Sequence, residues 1–99
     1  MRVDILESAH GDMLDGYWFY ERQEPGLGDY FSDTLYGEIA SLRLYAGIHP
    51  KRYGLHMMLS HVFPYSVYYD IEDGVVKVYA VIDNRRNPDW IGMHISNAR

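Results

Sequence analysis

The sequence predicts an α+β domain in which an antiparallel helical hairpin packs on one face of a mostly antiparallel sheet. Three observations predict it. A β-hairpin can be registered about Asp73-Gly74, two apolar stripes at helical spacing precede it, and a short alternating stretch opens the chain. Ninety-nine residues suffice for one core and one domain, spanning residues 1–99.

Val3 and Ile5 alternate with Arg2 and Asp4, which predicts an N-terminal strand. Ala9, Met13, Tyr17 and Tyr20 then follow at helical spacing, with Leu14 and Trp18 widening the stripe. Ser8 is the expected N-cap, and Asp12, Asp15 and Arg22 are expected to face solvent. Gly16 weakens this helix but permits close approach of its neighbour. Pro25-Gly26 stops it. A second stripe carries Leu27, Phe31, Leu35, Ile39 and Leu42, with Gly47 as the expected residue just past its end.

His49 to Gly54 reads as a loop with a small positive cluster, Met57 to Phe63 as a strand, and Pro64 as the break that ends its ladder. In the central hairpin, Asp73-Gly74 is a type I′ turn signal. Folding about it sets Ile71 opposite Val76, Tyr69 opposite Val78, Val67 opposite Ala80 and Tyr65 opposite Ile82 on one apolar face. The other face pairs Asp70 with Lys77, Tyr68 with Tyr79 and Ser66 with Val81. That second face needs a cover, supplied either by the terminal segment or by a partner. Asn87 as N-cap and Pro88 at the first position predict a short terminal helix containing Trp90, Ile91 and His94.

A chain that is 47% hydrophobic is ordinary for a folded protein, whereas ten tyrosines are many. The absence of cysteine removes disulfides, thiolate chemistry and Cys-based zinc sites, and makes a reducing compartment the default. No apolar run reaches the roughly 20 residues of a membrane span, and MRVDILESAH lacks the apolar core of a signal peptide. The expected location is the cytoplasm. A net charge of -5 opposes non-specific nucleic-acid binding.

Four motifs in order, QEPGLGDYF, FPYSVYYDI, VYAVID and RRNPDWI, together resemble the RelE/ParE superfamily of bacterial toxins, also known as plasmid stabilisation proteins. The resemblance runs from about Tyr17 to Trp90. It implies a small α+β toxin fold and a cognate antitoxin that wraps the toxin in a hetero-oligomer and suppresses growth inhibition. RelE-like members cut messenger RNA on the ribosome, while ParE-like members inhibit DNA gyrase. This chain departs from the pattern in HMMLSHVFPY, where relatives carry Arg or Lys. It also has Asp83 where many carry His, and Ser66 at a position held by arginine in RelE. The missing cations favour a protein-binding, ParE-like action, or a weakened activity, over an mRNA endonuclease. A non-toxic interaction module that retains the fold is the third reading.

If the chain cuts RNA, Arg85 and Arg86 would bind phosphate, His61 would move protons, and Tyr65 or Tyr68 would stack or donate a hydrogen bond. If it binds protein, Tyr68 and Tyr79 form an exposed aromatic patch with Trp90 as a further contact. His56 and His61 point to opposite faces of a strand and cannot share one metal. Asp12 and Asp15 read as solvated surface. No cofactor or metal is expected.

Overall fold

The computed structural model describes residues Met1–Arg99. Its order is β1 (Arg2–Ile5), α1 (Glu7–Glu21), α2 (Leu27–Ala40), α3 (Leu42–Tyr45), β2 (Lys51–Arg52), β3 (Leu55–Leu59), β4 (Tyr65–Glu72), β5 (Val75–Asp83) and α4 (Pro88–Ala98). The five strands form one sheet in the order β1-β5-β4-β3-β2, with β1 parallel to β5 and the other pairs antiparallel.

The helical hairpin lies on one face, as the stripes predict. Phe31, Leu35, Ile39 and Leu42 join Ala9, Met13 and Tyr20 in a core with Val67, Tyr69, Val76, Val78 and Val81. Gly16 is where α1 and α2 meet, because a Cβ there would sit 2.5 Å from the Phe31 ring. At the turn, the Glu21 carboxylate accepts from the amides of Gly26 and Gly28, which ties the end of α1 to the start of α2. Leu14 and Trp18, expected to widen the stripe, are exposed instead. The first helix is capped at Leu6, two residues before Ser8. The second breaks at Ser41 into α2 and the short α3, and Gly47 takes the positive φ expected past the helical region.

The central turn forms as predicted, with positive φ at both Asp73 and Gly74. The register holds for Ile71 with Val76, Asp70 with Lys77 and Tyr69 with Val78, and then shifts. Tyr79 is an extra residue, so Tyr68 pairs with Ala80, Val67 with Val81, Ser66 with Ile82 and Tyr65 with Asp83. The bulge exchanges the faces of the strand end. Val81 points to the helical hairpin, while Ala80 and Ile82 turn to the opposite face and pack with Tyr68, Leu55, Ile91 and Ile95. The predicted Tyr68/Tyr79 pair does not form. Tyr68 is 2% exposed beneath α4, so the terminal helix is the cover that this face required.

Two loops also differ. The segment from Lys51 holds a short strand, and Tyr53-Gly54 makes a second turn with positive φ at both residues. Strand β3 occupies Leu55–Leu59, because the Ser60 hydroxyl then accepts from the amides of Val62 and Phe63 and turns the chain before Pro64.

Candidate functional site

A cleft of about 490 Å³ opens between the second half of α1, the end of β5 and the start of α4. Asp12, Asp15, Trp18 and Phe19 reach it from α1, Arg22 from the residue just past its end, Tyr65 and Asp83 from the strands, and Arg86, Trp90 and His94 from the terminal segment. Strand β1 stops pairing with β5 at Val78, so the edge of β5 beyond it has no strand neighbour. Asp12 fills that role. Its Oδ2 accepts from the Val81 amide at 2.9 Å, and its Oδ1 lies 2.7 Å from His94 Nε2 on α4. One carboxylate therefore fastens the terminal helix to α1 and to the sheet. Burial raises the Asp12 pKa above 3.8 against the opposing pull of the Val81 amide and His94. Asp12, expected on the surface, is buried.

His94 stacks on Trp90 with ring centres 4.7 Å apart, and the Arg86 guanidinium lies 4.2 Å above the Trp90 ring. Arg85 closes a two-pronged pair onto Asp83, at 2.9 and 2.7 Å, and leans over Phe19. This pair holds the Asp83 carboxyl below its usual range and pushes the Arg85 pKa up. Burial, followed by the nearby Asp83 charge, pushes Tyr65 up to about 12. At neutral pH its hydroxyl is a donor and not a base.

The structure brings Tyr65, Arg86 and Trp90 into one cleft, with Arg85 bound to its wall. His61 lies elsewhere. It follows β3, lines a separate groove against α2, and donates its amide to Glu38 Oε2 at 2.8 Å. Tyr68 is buried, and the Tyr79 hydroxyl donates to Glu72 near the central turn. The histidine in the cleft is His94, which the sequence alone does not single out. The four-residue spacing of Trp90 and His94 on a helix could have shown their stacking. No three His, Asp or Glu side chains converge as a metal-ligand set, and no helix is long and apolar enough to cross a membrane.

The N-terminal strand, the helical hairpin and the antiparallel run of strands make up a RelE/ParE-like fold. Among solved structures, a chain of the chromosomal ParDE TA system from P. aeruginosa matches with a TM-score of 0.77 at 14% identity. The match covers 84% of this chain and 95% of that one. Neither a protein-family model nor a curated protein sequence matches.

Proposed function

We propose that this chain is the toxin component of a toxin–antitoxin pair, held inactive in the cytoplasm by a cognate antitoxin. It inhibits growth by binding a protein target, in the manner of ParE on DNA gyrase, rather than by cutting messenger RNA. The fold shared with a chain of a ParDE system supports the first statement. The observation that carries the second is the charge of the cleft. Asp12, Asp15 and Asp83 face it against Arg22 and Arg86, and Arg85 is already closed on Asp83. An RNA backbone needs a surplus of free cations, and this site has none: with Arg85 counted beside Asp83, three carboxylates meet three guanidiniums. Exposed Trp18, Phe19 and Trp90 beside Arg22 and Arg86 instead give the composition of a protein-binding hot spot.

One observation favours the endonuclease reading: Tyr65, Arg86 and His94 line the same cleft. Regulated expression in a bacterium, with growth, cell shape and transcript ends followed together, separates the two. Target binding of the ParE kind gives filaments and DNA-damage signalling that co-expression of the neighbouring gene relieves. Abrupt translation arrest with cut messages would replace this reading with the nuclease, and unimpaired growth would remove both.

A further inference from the structure

The outward face of α1 carries a stripe that no other element covers. Glu7, Gly11, Leu14, Trp18 and Arg22, the last just past the helix end, recur at steps of three and four and so share one side of it. All five are exposed, whereas Ala9, Met13 and Tyr20 on the other side enter the core. Leu14 and Trp18 are 58% and 47% exposed, and Tyr17 braces the Trp18 indole edge-on with ring centres 5.0 Å apart. Large apolar side chains grouped this way mark an interaction surface.

Its shape and its charge both fit a second copy of the same stripe. A Cβ at Gly11 would meet nothing within 4 Å, so no contact inside the chain requires glycine there, and glycine weakens an exposed helix. Gly11 leaves a notch one turn before Leu14, and Trp18 stands as a knob one turn after it, at about 4.5 and 6 Å along the axis. When two copies cross antiparallel at Leu14, each indole meets the other's notch. Glu7 and Arg22 lie about 10.5 and 12 Å to either side of Leu14, and neither belongs to an ion pair of the chain. The antiparallel crossing sets Glu7 of each copy against Arg22 of the other. A parallel crossing would set Glu7 on Glu7 and Arg22 on Arg22, which like charges oppose.

We infer that the chain pairs with a second copy of itself through α1, antiparallel, with Leu14 at the two-fold axis, Trp18 packed on Gly11 and Glu7 paired with Arg22 across the interface. The same surface is used on both copies, so the contact closes at a dimer. A net charge of -5 on each copy opposes association and keeps it in the micromolar range. Trp18 and Arg22 also belong to the surface proposed above for a protein target, so dimer and target exclude each other. The dimer itself does not depend on that reading.

Sedimentation velocity on the whole purified protein, over a micromolar dilution series, tests the pairing. The wild type should pass from monomer to dimer as concentration rises, and no further. Gly11→Leu gains helix propensity in open space and should raise Tm, yet by filling the notch it should weaken the dimer about tenfold or more. Glu7→Arg and Arg22→Glu should each weaken it about tenfold, and the double variant should return it to within about threefold of the wild type. Damage to the fold would not be repaired by a second substitution in this way. A wild type that stays monomeric throughout, or that assembles beyond a dimer, overturns the inference. So does Gly11→Leu dimerising as tightly as wild type, or a double variant that pairs no more tightly than either single one.

Discussion

Asp12 gives the sharpest test of how this fold is held, because its two oxygens join three elements and its burial works against its charge. Asp12→Ala leaves the Val81 amide without an acceptor inside the protein, at about 1–3 kcal/mol. It also frees His94, which is partly exposed and can turn to water at about 0.5–1 kcal/mol. The expected loss is about 3 kcal/mol of a total near 5–15 kcal/mol, which lowers Tm by roughly 12–24 °C in a domain of this size. Asp12→Asn should behave differently. Its amide oxygen can still take the Val81 proton, its NH₂ can face His94 in the other tautomer, and no charge is buried. Because the folded pKa is raised, the folded state holds the Asp12 proton more tightly than the unfolded state. Stability from this group is therefore full below about 3.8 and falls as pH rises through the raised value. The Asn variant should be at least as stable as the wild type at neutral pH and lose that slope. Guanidinium unfolding followed by Trp18 and Trp90 fluorescence reads all three proteins. An Ala variant within about 1 kcal/mol of wild type, or an Asn variant as weak as Ala, would refute the reasoning.

Four further outcomes follow from the same contacts. Gly16→Ala gains helix propensity of roughly 1 kcal/mol, but its methyl would strike the Phe31 ring, so a net loss of about 1–3 kcal/mol should appear in urea denaturation. Tyr68→Ala empties the core under α4 and should cost about 3–5 kcal/mol, with α4 amides losing protection first in hydrogen exchange. Because Asp83 has a depressed folded pKa, its pairing with Arg85 stabilises the protein above about 3.8 and is lost as pH falls through the folded value. Arg85→Ala should flatten that acid limb of a Tm-versus-pH curve while costing about 1 kcal/mol or less at neutral pH. Arg86→Ala, at an exposed stacked site, should shift Tm only slightly yet weaken growth inhibition in the expression assay.

The parts of the fold that were legible in the sequence are those set by local chemistry. Asp73-Gly74 specifies its turn because both residues accept positive φ, and the stripe from Phe31 to Leu42 buries as its spacing predicts. Tyr53-Gly54 makes the same kind of turn but was hidden, since a tyrosine rarely adopts positive φ. The candidate site was half legible. Arg85, Arg86, Tyr65 and Trp90 fall together because the two arginines sit on the short turn between β5 and α4, Trp90 is in the first turn of α4, and Tyr65 pairs with Asp83. Asp12 could not be read, because its partners lie 69 and 82 residues away and an acidic residue on a helix is by default solvated.

The bulge at Tyr79 is the remaining departure, and it makes a prediction of its own. Strand β1 ends where the bulge begins, so the extra residue falls at the point where β5 loses its strand neighbour and starts to answer to Asp12 and α4. Deleting most residues of a strand exchanges its faces. Deleting Tyr79 should not, because Val78, Ala80, Val81 and Ile82 would then alternate to the sides they already occupy. The variant should fold, losing the Tyr79–Glu72 hydrogen bond at about 1 kcal/mol. A bulge adds local twist, and removing it re-aims the end of β5 that carries Asp83, Arg85 and Arg86 into the cleft. Stability near wild type with impaired growth inhibition would assign the bulge to aiming the site. An unfolded protein on deleting Tyr79, set against a folded one on deleting Ala80, would show that the register is held by something other than the two buried faces.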